Sequence, residues 1–156
     1  LRKRKDGVVM TLQYWREEDY EQVENATTYN ELRDVAFRVL ARAPKPCAEV
    51  CGPITTGGLG SIEKNLKRFN EEIRKLQKTG VEVFDQMPFE ESMQRIKKLH
   101  ETKGYLTNLL HEFYLPIFES GFIRTLYFLP GWKTSSGARW EHEQALRLGI
   151  EIVYLE

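Results

Sequence analysis

Cysteine is nearly missing from this 156-residue chain, and the two present, Cys47 and Cys51, are too few for a disulfide framework. Their spacing fits neither the redox C-x-x-C pair nor a zinc site, which needs two further ligands. Buried free thiols in a cytoplasmic protein are therefore expected. Net charge is also lacking: 23 basic residues balance 23 acidic ones. That excludes a general nucleic-acid-polymer binder, which carries a basic excess. The one concentrated charge, Arg2 to Lys5, is a solvated terminus or a local contact. No stretch approaches the roughly 20 apolar residues of a membrane span, so no membrane partner is expected. No signal-peptide pattern is present either. The three histidines, His100, His111 and His142, form no ligand set. His142-Glu143 opens like the zinc-protease motif, but Leu146 stands where the second His is required. No metal or cofactor is expected.

What the chain does have is core-forming material, 41% hydrophobic and 12% aromatic residues in a length typical of one domain. The first 25 residues are weakly patterned, an apolar patch from Val8 to Trp15 followed by an acidic run from Glu17 to Glu24. Thr28 and Glu31 have capping-box spacing, and Leu32, Val35, Ala36, Val39 and Leu40 recur at helical intervals until Pro44 and Pro46. Residues 1–46 thus read as an N-terminal helical extension.

From residue 47 the pattern changes to strands alternating with helices. Ala48–Cys51, Val81–Phe84, Phe122–Leu129 and Ile150–Leu155 are strand candidates. Between them Ser61 caps an amphipathic stripe of Ile62, Leu66, Phe69, Ile73 and Leu76 that stops at Gly80. Helical spacing returns from Glu90 to His100, from Tyr105 to Phe118, and after Pro130 as far as Gly149. This alternation predicts an α/β domain over 47–156, an open parallel sheet of about four to five strands flanked by helices.

Ligands of such sheets bind beyond the carboxyl ends of the strands. Three loops leave those ends. Gly52 to Gly60 is glycine-rich and precedes a helix, so its amides suit a phosphate or carboxylate. It misses the nucleotide fingerprints: Glu63 replaces the third glycine of the dinucleotide motif, and Gly58 the P-loop lysine. Asp85 to Phe89 offers aromatic and thioether groups that stack a flat base or serve as core, with core favoured. Pro130 to Gly137 leads into a helix where Ala138, Glu141, Ala145 and Leu148 share one stripe. Glu141 is the odd member of that stripe, either a site carboxylate or a glutamate favoured by the helix dipole. Arg139, Glu143 and Arg147 lie on another face and read as solvated ion pairs. Ser135 and Ser136 suit helix capping or contacts to oxygen anions.

Two segments resemble the nucleoside 2-deoxyribosyltransferase-like family, especially its small branch. Val50 to Gly58 looks like that family's first strand and substrate loop. Leu129 to Trp132, followed by Ser135, Gly137, Glu141, Ala145 and Gly149, looks like its catalytic turn and helix. The resemblance spans about residues 47–156. It implies a flavodoxin/Rossmann-like fold that binds a nucleoside or its 5′-monophosphate without cofactor, often as a homo-oligomer, a dimer or higher. It also implies Glu141 as the nucleophile at the anomeric carbon, giving an N-glycosidase or deoxyribosyltransferase. Gly52, Ile54, Thr55, Thr56, Gly57, Asp85, Trp132, Ser135, Ser136 and Gly137 become the substrate-binding candidates. The family's acid at the end of the third strand is missing, since that end reads Tyr127-Phe128-Leu129; Asp85, Glu112 and Glu119 are the candidate substitutes. A non-catalytic nucleotide-binding or sensing module is the alternative. An interaction protein using its middle helices as an oligomer surface is a third.

Overall fold

The computed structural model describes residues 2–3, 9–10, 12–104 and 108–156. Leu1, Arg4 and Lys5 of the basic tip, Val8 and Thr11 of the apolar patch, and the helical start expected at Tyr105 lie outside the described residues. Strands β1 (Arg2–Lys3) and β2 (Val9–Met10) pair antiparallel, away from the main sheet. Helices α1 (Glu17–Asn25) and α2 (Tyr29–Arg42) follow. The acidic run is thus a helix: Glu17, Glu18 and Asp19 occupy its first turn, where the dipole favours them. Thr28 caps α2, accepting from the Glu31 amide at 3.2 Å.

The main sheet has three parallel strands in the order β3 (Cys47–Cys51), β4 (Ile123–Phe128), β5 (Glu151–Tyr154). The expected strand at Val81–Phe84 contracts to a single parallel bridge, Ala48 to Val83. The next element leaves it little room: Asp85 accepts the Met87 amide at 3.0 Å and starts α4 (Met87–Lys103) directly after Phe84. The loop expected over Asp85–Phe89 is therefore mostly the first turn of a helix. Counting the bridge, the spatial order across the sheet is Val83, β3, β4, β5. The order reverses between β3 and β4, where successive connections pass on opposite faces.

Each face has its own core. Ala48 and Val50 point one way, and Val50 packs with Phe69 and Ile73 of α3 (Ile62–Lys78) and with Leu129. Cys47, Glu49 and Cys51 alternate to the other face. There Leu126 and Phe128 join α4, a π-helical turn at Leu110–Tyr114, α5 (Leu115–Glu119) and α6 (Ser136–Leu148). Helices α1 and α2 share this second core, with Trp15, Leu32 and Val39 in the same cluster as Phe89 and Phe113. Asp19 fastens them together. It is fully buried, accepts from the Arg16 amide at 2.9 Å, and pairs with Arg38 at 3.2 Å and Arg42 at 2.5 Å. Among the described residues no helix is long and apolar enough to cross a membrane.

Candidate functional site

A cleft of about 360 Å³ opens where the β3 and β4 loops part, at the reversal of strand order. Local chemistry shapes both loops. Gly52 lies so close to Leu129 that a Cβ there would meet its side chain at 2.8 Å. The turn beyond is clamped by Asn65, a buried side chain of α3. Its amide donates to the carbonyls of Ile54 (3.0 Å) and Gly57 (3.2 Å), and its oxygen accepts from the Leu59 amide (2.9 Å). Thr134 ties the two loops together, accepting from the Gly58 amide at 2.9 Å and donating to Gly131 at 2.7 Å. Ser135 caps α6 by accepting from the Ala138 amide at 3.1 Å. The expected stripe faces inward: Ala138, Glu141 and Ala145 are buried, while Glu143 is exposed. The ion pairs expected on the outer face give way to other bonds. Arg139 donates to the Lys133 carbonyl and Arg147 to Gln144.

Glu141 is 7% exposed and reaches the cleft from the second turn of α6. Gly52, Ile54, Thr55, Thr56, Ser135, Ser136 and Gly137 line the same cleft. Three candidates stand elsewhere. Gly57 backs the loop against Thr134, whose Oγ1 would sit 2.5 Å from an added Cβ. Asp85 pairs with Arg74 at 2.8 Å and lines a different hollow. Trp132 stacks on His142 at 4.4 Å, and His142 bonds the Tyr154 hydroxyl at 2.7 Å. Of the substitutes for the missing acid, Asp85 is thus committed to Arg74. Glu112 accepts from the Asn108 amide, and Glu119 is exposed at the end of α5.

Instead two unforeseen glutamates accompany Glu141. Glu49, from the middle of β3, is fully buried, and neither of its oxygens has a hydrogen-bond partner among the described residues. Glu90, in the first turn of α4, is 8% exposed and lines the cleft. One carboxylate oxygen each from Glu49 and Glu141 and the Cys51 sulfur lie within 4.8 Å of one another. The Cys51 thiol donates to Glu141 Oε2 at 3.2 Å. The alternation of β3 causes this grouping, placing residues 49 and 51 on the side toward α6.

Burial dominates the electrostatics. It pushes Glu141 up to about 8; the Cys51 hydrogen bond opposes the shift and the Glu90 charge adds to it. Burial likewise raises Glu90 to about 7, with Gln94 opposing. Glu49 is held well above the usual carboxylate range by burial and by the Glu141 charge. The Cys51 thiol is also raised well above its ordinary value, by burial first and then by Glu141 and Glu49. The three donors could gather a metal by distance alone. Their chemistry suits protons better, because a thiol already donating to a carboxylate must lose that proton before it can ligate.

The sequence held a signal for Glu49. An ionisable residue inside a strand buried on both faces requires a reason for being there. Glu90 adjoins the apolar stripe of Phe89, Met93 and Ile96, which likewise sets it at the edge of the core.

No curated protein and no solved structure matches the chain. Residues 49–154 match a family described as Domain of unknown function (DUF4406), and the match takes in both cleft loops and all three glutamates. Because it spans more than half of the chain, the protein belongs to the DUF4406 family.

Proposed function

We propose that the protein is a nucleoside or nucleotide N-glycosidase, or a 2-deoxyribosyltransferase, that uses Glu141 as its nucleophile. The observation carrying this reading is one buried carboxylate at the inner end of a cleft, between a glycine turn and a capped helix start. On this reading the crossing order Val83, β3, β4, β5 is the core of a flavodoxin-like sheet, and the cleft occupies its switch point. The ionised Glu141 attacks the anomeric carbon as the bond to the base breaks, through an oxocarbenium-like transition state. The departing base nitrogen takes a proton from Glu90, which at about 7 is poised to be an acid near neutrality. Water, activated by the same residue, hydrolyses the resulting ester; a second base in its place gives transfer. The Ser135 to Gly137 start of α6 presents amides and hydroxyls to a sugar or phosphate oxygen. Gln86 donates to the Val50 carbonyl at 3.0 Å, and its buried oxygen lacks a partner among the described residues, which suits a substrate hydroxyl.

The test is incubation with a panel of nucleosides and 5′-monophosphates, with free base measured by chromatography. Base release by the wild type that disappears in Glu141→Gln supports the enzyme. Stabilisation by a nucleotide without turnover points to a binding or sensing module. That second reading draws on the elevated Glu141, which when protonated donates a hydrogen bond and does not attack. If no nucleotide shifts the melting temperature at millimolar concentration, both readings fail. A homo-oligomer belongs to the same proposal, and light scattering on the intact protein measures it.

A further inference from the structure

Two buried carboxylates with oxygens within 4.8 Å cannot both be ionised without a counter-charge. The groups packed around the pair supply little. Cys51, on β3, is a thiol that already donates to Glu141. From the π-helical turn comes Tyr114, whose hydroxyl meets the Met93 sulfur at 3.9 Å. The α4 wall contributes Glu90, a third acid, with Glu101 further along. Of the basic groups, Lys97 is exposed, and the buried His100 bonds the Thr27 carbonyl at 2.7 Å. From α2 comes Tyr29, which packs edge-on against His100. None of these donates a hydrogen bond to Glu49. The two acids also differ. Glu141 has a donor and faces the cleft, whereas Glu49 has neither.

We propose that Glu49 is a positioning residue that keeps the proton the buried pair must retain, leaving Glu141 as the carboxylate facing the cleft. The asymmetry sets the direction. Once the pair has given up one of its two protons, the negative charge resides on the oxygen that receives the Cys51 hydrogen bond, and the remaining proton on the acid that water does not reach. Glu49 touches no substrate and acts only through Glu141. No group is transferred: one proton stays on Glu49 while Glu141 forms and releases its ester. This extends the reading of Glu141 as a nucleophile, but the proton's position is measurable whether or not any base is released.

Difference infrared spectra of the intact protein at pH 9, above the value of about 8 to which burial raises Glu141, locate the proton. Wild type minus Glu49→Gln should show the carbonyl stretch of a protonated carboxyl, and wild type minus Glu141→Gln the bands of a carboxylate. The reverse assignment overturns the proposal, as does the lack of any protonated band that Glu49→Gln removes. Glu49→Leu, apolar and of similar size, replaces Glu49→Gln if the amide variant fails to fold. Where base release is found, its pH profile gives a second reading. A neutral Glu49 and a neutral glutamine are electrostatic equivalents, so the acid limb assigned to Glu141 should stay in place in Glu49→Gln. A fall of that limb by one pH unit or more means Glu49 was ionised, and the proposal is wrong. Binding of one equivalent of Zn²⁺, lost in both Glu49→Gln and Cys51→Ser, would also overturn it. Absence of base release from every substrate, with the infrared assignment intact, would defeat the nucleophile reading alone.

Discussion

Asp19 and Glu49 are both completely buried acids, and their surroundings are opposites. Asp19, in the helical region before the sheet, receives a backbone amide and two guanidinium groups. Burial would raise its pKa, but the hydrogen bonds from Arg42, Arg16 and Arg38 outweigh that and hold it below the ordinary aspartate value. Glu49, in the middle of β3, has no hydrogen-bond partner among the described residues and is driven upward. The first arrangement satisfies a buried charge and fastens α1 to α2. The second leaves desolvation uncompensated beside a cleft, as expected where a fold gives up stability for chemistry.

The widest separation between the two regions should come from activity. On the proposed reading, Glu141→Gln keeps the shape of the cleft and removes the attacking oxygen. Base release should fall by about a thousandfold or more, equal to about 4 kcal/mol of transition-state stabilisation. Chromatography of the freed base, set against an unchanged circular dichroism spectrum, measures this. A loss of less than tenfold would make the carboxylate cluster no more functional than Asp19.

Asp19→Ala should be the converse, a loss of stability with the cleft chemistry unchanged. It removes the acceptor of Arg42 and Arg38, which keep partial access to water, so the cost is that of lost charge-assisted hydrogen bonds, about 1.5–3 kcal/mol. Denaturant unfolding gives the value. If the cost stays below 1 kcal/mol, the pairing does not hold α1 and α2 as described.

The sequence showed these two regions to different depths. The helix starts at Thr28, Ser61 and Ser135 were legible because capping is a local matter of a hydroxyl and an amide three residues on. The inward turn of Glu141 was legible for the same kind of reason, since helical periodicity fixes a face. Glu49 was legible as an ionisable residue inside a strand candidate, but its meaning depends on Glu141 of α6, 92 positions away. Asp19 looked like one more charge in an acidic run, because its partners are Arg38 and Arg42 of the next helix. The strand expected at Val81–Phe84 failed for a local reason: Asp85 accepts the Met87 amide and starts a helix before the ladder can extend. Clefts and buried charge pairs are built from long-range contacts, which spacing along the chain does not display.

The two kinds of acid also predict opposite pH slopes. Asp19 has a depressed pKa, so its contribution is complete above its unfolded value near 3.8 and is lost as pH falls through the folded value. Glu90 and Glu141 are raised from 4.5 to about 7 and about 8. Their native forms hold protons that the unfolded chain has released. Their contribution is therefore complete below 4.5 and declines as pH climbs toward 7 and 8. Thermal melts should show Tm falling by several degrees between pH 5 and pH 8. A separate, steeper fall should begin below about pH 4 as Asp19 takes up its proton. Glu90→Gln should flatten the upper slope up to neutrality without altering the acid one. A Tm that rises steadily from pH 5 to pH 8 would contradict the burial-raised pKa values of the cleft acids.

The smallest effect expected is the one that asks whether Glu49 is a cost at all. A buried carboxyl without a partner loses its hydrogen bonds to water and gains none in exchange. Glu49→Leu replaces it with an apolar side chain of similar volume, between Cys47 and Cys51 and beside Leu126. It should raise stability by about 1–2 kcal/mol at pH 7, and by more at pH 8, where retaining the proton is harder. The same exchange at Asp19 should destabilise, because there the partners are present and would be abandoned. Urea unfolding of the two leucine variants at both pH values supplies all four numbers. If Glu49→Leu is destabilising, Glu49 has a partner that its packing does not show, and the contrast with Asp19 narrows to one of degree.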